Sequence, residues 1–158
     1  MPSTSRTAFL DEIVLRLQRI TVANGFNYTI PNNTKNVSWK NFKHWNDISA
    51  FPAAFVLVER TTFVGGQTGY IVRSEIPLFV WGYVKATSNA ALVAEAFLND
   101  LFEAVFTHRT NLVTDATLNN TVPVIEYVSR DVFGDLESDI RVVQLELKAT
   151  LDHSLTAT

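Results

Sequence analysis

The sequence predicts an α+β fold: an antiparallel-rich sheet of about four strands with two helices packed on one face, in the order αββαββ. Three stretches carry that prediction. Near the C-terminus, Val143, Leu145, Leu147, Ala149 and Leu151 alternate with Gln144, Glu146, Lys148, Thr150 and Asp152, the period-two pattern of a strand with one packed and one wet face. Near the start, Phe9, Ile13, Leu17 and Ile20, flanked by Leu10, Val14 and Ala23, recur at helical spacing. Between them, Tyr70 to Phe106 reads as a strand and then a helix, both too apolar to stand alone.

The first helix is expected from about Thr4 to Asn24, ending where Gly25 can take the left-handed conformation of a helix C-terminus. Glu12 and Arg16, one turn apart, read as a solvated face worth roughly a few tenths of a kcal/mol. Residues 26–50 are the least regular part, and a connection of that length is usually functional or mobile. Within it Trp39, Phe42 and Trp45 recur every three residues, which suits a short helical turn laying three aromatics on a neighbouring surface. That surface is either the domain's own core or another subunit.

Phe51 to Glu59 is a nearly continuous apolar run with proline at its entrance, expected as a central strand. Gly65-Gly66 reads as the tip of a long hairpin, because paired glycines supply positive φ angles, and Arg60 to Gly69, including Phe63 and Val64, is either an arm reaching past the core to another subunit or simply an exposed loop. In the following strand Val72, Ile76, Leu78, Val80 and Val84 share one parity, and Ile71, Phe79, Trp81 and Tyr83 the other, so both faces need cover. The next helix carries an apolar stripe of Leu92, Ala96, Leu98 to Leu101, Phe102, Val105 and Phe106, with Glu95, Asn99 and Glu103 outside it. His108 and Arg109 suit the negative end of its dipole, and residues 110–121 read as a loop. Pro123 to Phe133 and Ile140 to Leu151 form a second hairpin around Gly134-Asp135, with a small polar tail after it. This order is also that of a circularly permuted ferredoxin-like plait.

The 158 residues make one domain of ordinary size. The absence of cysteine excludes disulfides, thiolate metal sites and cysteine nucleophiles, and fits assembly in a cytosol. The opening segment carries Asp11 and Glu12, so it lacks the apolar core of a secretion signal, and no run reaches the length of a membrane span. A net charge of -3 with scattered Lys and Arg disfavours tight nucleic-acid binding. Eleven Phe and three Trp against 18% charged residues point to buried contacts between chains.

Catalytic signatures are missing. His44, His108 and His153 lie in no recognisable triad or metal spacing, and Gly65-Gly66-Gln67-Thr68-Gly69 lacks the lysine of a phosphate-binding loop. Glu75, Glu126, Asp131 and Glu146 sit in strand patterns, where pairing with Arg73, Arg130 or Lys148 across strands is the ordinary explanation. No catalytic residue, metal or cofactor is expected.

The run Leu-Asp-Glu-Ile-Val-Leu-Arg-Leu of the first helix, Phe51-Pro52-Ala53-Ala54-Phe55-Val56, and Glu75-Ile76-Pro77-Leu78 leading into Val80-Trp81-Gly82-Tyr83-Val84 resemble the tail terminator, or tail completion, proteins of long-tailed bacteriophages. Asp100-Leu101 with a following Ala-Val pair, Ile125-Glu126-Tyr127 and the closing Val-Val-Gln-Leu-Glu-Leu strand extend the likeness over most of the chain. The resemblance implies a homo-oligomeric ring, usually a hexamer, in the head-proximal tail of the virion, assembled in the host cytoplasm. It would sit on the last ring of tail tube protein, stop tube growth and present the head-joining face to a connector or stopper protein. Contact with a tape measure protein and passage of DNA through the lumen without specific binding belong to the same expectation. A closing ring needs two different complementary patches per subunit. The candidates are the segment of Trp39, Phe42 and Trp45, the arm with Phe63 and Val64, Trp81, and the helix surface at Phe102 and Phe106. Loops Arg60 to Gly69, Thr110 to Thr121 and Val132 to Asp139 are candidates for the axial faces. The alternatives are a neighbouring connector or minor tail protein, or a non-viral binding module with an apolar groove beside the central helix.

Overall fold

The computed structural model describes residues 5–43, 47–60, 62–68, 71–106, 124–134 and 139–154. Helix α1 (Ser5–Gln18) is followed by α2 (Asn33–Asn36), β1 (Val37–Ser38), β2 (Ala53–Val58), β3 (Thr62–Thr68) and β4 (Ile71–Lys85). Helix α3 (Ala90–Phe106), β5 (Val124–Gly134) and β6 (Ile140–Ser154) complete the order. The expected α+β class holds, with α1 and α3 on one face of the sheet.

The sheet runs β1-β2-β4-β6-β5, with β3 also paired to β4. Among the described residues it has six strands, two more than the expected core of four, and the β1-β2 pair is parallel while the others are antiparallel. The four longer strands of the path, β2-β4-β6-β5, have the connectivity and pairing of a ferredoxin-like plait whose first strand has moved to the C-terminus. β4 and β6 pair without a break from Ile71↔Ser154 to Lys85↔Ile140, so these two strands, and not β2, form the spine of the sheet.

β2 and β3 lie end to end along the other edge of β4, opposite residues 78–83 and 71–75 respectively. Pro77 explains the break between them. The N–H of Glu59 reaches the Pro77 carbonyl at 2.9 Å, so Pro77 turns its backbone polar groups toward that edge and has no N–H to offer there. The hairpin does not turn at Gly65-Gly66. Pairing continues to Thr68↔Ile71, and the glycines sit where the register shifts between Val64 and Thr68, the bulge that glycine inside a strand commonly marks.

Helix α1 ends at Gln18, earlier than the apolar spacing predicts. The N–H groups of Arg19 and Ile20 bond to the carbonyls of Arg16 and Leu17, three residues back, and a separate 3-10 turn follows at Val22–Asn24. The Thr21 side chain caps that turn by accepting from the Asn24 N–H, and Gly25, at φ 92°, closes it in the expected left-handed conformation. The competition is local: a β-branched Ile20-Thr21-Val22 run favours extended backbone, and Thr21 supplies a cap.

The main core lies between helices and sheet. Phe9, Ile13, Leu17 and Ile20 of the first segment and Phe97, Leu98, Leu101 and Val105 of α3 meet Ile76, Leu78, Val80, Val143, Leu145 and Leu147, all at most 1% exposed. Each such side chain contributes about 1.5–3 kcal/mol by leaving water. Gly82 lets α3 sit down on β4, since a Cβ there would lie 2.7 Å from Phe97 and from Val143 and 2.8 Å from Leu101. The alternation expected in β6 is present: Val143, Leu145, Leu147 and Ala149 are buried, and Gln144, Glu146, Lys148 and Thr150 are half-buried on the other face.

Candidate functional site

The far face of the sheet is where the architecture leaves apolar surface incompletely covered. Its side chains stand in rows set by strand register. Ala53, Tyr83 and Val142 form one row, Phe55, Trp81 and Gln144 the next, and Leu57, Phe79 and Glu146 the third. Phe42, Ile48 and Phe51 roof the first two rows, packing on Ala53, Phe55, Trp81 and Tyr83. Phe42 meets Phe55 and Trp81 edge-on, at centroid distances of 6.2 and 6.3 Å. In the first row Ala53 and Tyr83 are buried and Val142 half-buried; Tyr83 is 2% exposed, and desolvation pushes its phenol up to about 12. The roof stops at the third row. Leu57 is 37% exposed and Phe79 half-buried, and beyond them lie exposed Glu59 and the ion pair of Lys148 with Glu75 at 3.4 Å.

The expected aromatic cluster of Trp39, Phe42 and Trp45 is not one patch. No helix spans residues 39–43, and the first two rings go to opposite faces of the sheet. Val37 enters the helix-side core from β1, so Trp39, two residues on, follows it to that side and donates from Nε1 to Asp11 Oδ1 at 2.8 Å. The chain then passes around the short β1 edge, and Phe42 reaches the far face. Trp45 lies outside the described residues. Phe63 and Val64 belong to β3 by backbone pairing, and their side chains also lie outside them, as do His44, His108 and the loop Thr110 to Thr121.

On α3, Phe102 and Phe106 stack at 4.8 Å with planes 34° apart, half-buried against the helix-side core. Leu92, expected in the buried stripe, is 73% exposed, because it falls on the side of α3 opposite Ala94, Phe97, Leu98 and Leu101. Trp39, Phe42, Trp81, Phe102 and Phe106, the candidate contact residues with described side chains, are all half-buried.

Two buried charges escaped the reading of the sequence. Arg16 is 1% exposed, with the Val105 carbonyl oxygen 2.7 Å from Nη1 and Glu12 Oε1 3.4 Å from Nε. Desolvation lowers its pKa, against the opposing effect of Glu12. Its position could have signalled burial, since residue 16 falls beside Ile13, Leu17 and Ile20 on the apolar side of α1. The guanidinium borders a cleft of about 280 Å³ with Arg19, Asn24, Phe26 and Glu103. Asp100, also 1% exposed, accepts from the N–H groups of Asn27 and Tyr28 and from Asn27 Nδ2, each at 3.0 Å. It ties the segment after Gly25 to α3, where Tyr28 meets Phe97 edge-on at 6.1 Å. Both charges are structural clasps.

Among the described residues no three His, Asp or Glu side chains converge as metal ligands, and no helix is long and apolar enough to cross a membrane. No protein-family model matches the chain, and no curated protein matches its sequence.

Proposed function

We propose that this chain is a structural virion protein of the tail-terminator kind. Copies form a ring, hexameric in the family it resembles, on the last ring of tail tube protein, where they end tube growth and offer the joining surface for a head connector or stopper. The role is mechanical and takes no cofactor or catalytic residue. The observation that carries this reading is the state of the aromatic side chains. Trp39, Phe42, Trp81, Phe102 and Phe106 are all half-buried by their own chain, which leaves large rings for identical neighbours to finish covering. The net charge of -3 suits a lumen through which DNA passes without adhering.

Negative-stain images of the purified protein, alone and mixed with tail tubes, test this reading. Closed rings, free or seated on one tube end, are the expected result. A chain that stays monomeric at every concentration and binds no tube end refutes it.

A further inference from the structure

We propose that Asn24-Gly25 is a site of spontaneous isoaspartate formation, held shut by the 3-10 turn it closes and released when that turn opens locally.

Asn24 alone among the asparagines is followed by glycine. Glycine has no Cβ to shield its amide nitrogen or to restrict the backbone rotation that brings it onto the preceding side chain. In the reaction the Gly25 nitrogen gives up its proton and attacks the side-chain carbonyl carbon of Asn24. A new C–N bond closes a five-membered succinimide, and the side-chain amide leaves as ammonia. Water then opens the ring at one of its two carbonyls and returns either aspartate or isoaspartate, in which the main chain runs through the side-chain carbon. Water is the only co-reactant, and both residues are exposed to it.

The fold controls the attack through the hydrogen bonds of the two reacting groups. The Gly25 N–H, the nucleophile, donates to the Val22 carbonyl oxygen at 3.0 Å, and Asn24 Nδ2, the leaving group, donates to the Arg19 carbonyl oxygen at 2.9 Å. Both are thereby kept from the mutual approach that ring closure needs. Two threonines hold this arrangement. Thr21 Oγ1 accepts from the Asn24 N–H at 3.2 Å, and Thr29 Oγ1 accepts from the Val22 N–H at 2.8 Å. These bonds lie at the surface, where a segment opens far more readily than the core does, so the rate follows the turn and not global unfolding. The product lacks the Nδ2 donor to Arg19. Isoaspartate also lengthens the main chain three residues before Asn27, whose N–H is held by Asp100 at 3.0 Å, so the change falls beside the clasp to α3.

Peptide mapping by mass spectrometry tests this on the full chain held at mildly alkaline pH. It follows the amide-to-acid change at each asparagine and separates isoaspartate from aspartate by retention time. The samples are wild type folded, wild type in urea, and folded Thr21→Ala and Thr29→Ala, each variant checked for a cooperative melt and also run in urea. In urea, Asn24 is expected to react faster than any other asparagine. Folding is expected to slow it about tenfold or more. Either threonine variant is expected to speed the folded reaction about threefold or more, as loss of a capping bond implies, with the urea rate unchanged. Another asparagine leading in urea overturns the site. An Asn24 rate equal in folded and unfolded wild type, or folded variants that react at the wild-type rate, overturns its control by the turn.

Discussion

Arg16 donates through Nη1 to the carbonyl oxygen of Val105 across 2.7 Å, so a residue expected on a solvated face is instead a clasp between α1 and the last turn of α3. The final carbonyls of a helix lack partners within it, and a cationic donor there satisfies one of them and opposes the negative end of the dipole. The long Arg stem also fills space between the helices.

Arg16→Ala is expected to lower stability by about 2–4 kcal/mol in urea denaturation, through the lost charge-assisted bond and the space vacated. Arg16→Met, which keeps the stem, is expected to cost less. If Arg16→Ala melts within about 0.5 kcal/mol of the wild type, the clasp carries no weight.

Gly82→Ala is expected to destabilise by about 1–3 kcal/mol, since the added methyl meets Phe97, Val143 and Leu101 at 2.7–2.8 Å in a packed core. Thermal melting checks it. An unchanged melting temperature would mean that α3 does not rest on β4 so closely.

Tyr83 gives a pH dependence of stability with a definite sign. Its folded pKa, about 12, lies above the ordinary 10.0, so the folded state holds the phenolic proton more tightly than the unfolded state. The contribution is whole below about pH 10 and is lost as pH rises through about 12. Tyr83→Phe should flatten that alkaline decline in urea midpoints. An identical decline in both proteins would assign it to other groups.

Asp100 behaves oppositely to a surface carboxylate. Burial, the largest influence, raises its pKa above 3.8 despite the hydrogen bonds from Asn27 and Tyr28. The folded state therefore binds the proton more readily, and this group favours folding more as pH falls from neutrality toward the unfolded value. Asp100→Asn places an amide donor against a backbone N–H and should cost about 1–3 kcal/mol at neutral pH. The gap between wild type and variant should widen in acid. A gap that narrows contradicts the sign.

Much of the fold was legible because apolar period matched burial. The alternation from Val143 to Ala149 marks the helix-facing side of β6, the run Ala90–Phe106 is α3, and the hairpin around Gly134 joins β5 to β6. What escaped depends on contacts distant in sequence. Whether Gly65-Gly66 turns or bulges is decided by Thr68 still pairing with Ile71. The spacing of Trp39 and Phe42 suggests a helical turn, but the two-residue β1 sets them on opposite faces. Arg16 and Asp100 look like surface charges until Val105 and Asn27 are brought beside them. That Leu57 and Phe79 stay partly open was not legible either, because it follows from Phe42, Ile48 and Phe51 covering only the two rows before them.

The central claim is that identical copies cover one another's apolar surface in a ring at the tube end. Negative-stain imaging of tails assembled with and without this chain tests it most directly. With the chain, tubes should be uniform in length and end in a closed ring at the head-proximal tip; without it, that tip should lack the ring and tube length should spread. Tubes identical in both preparations, with no added density at either end, would contradict the account.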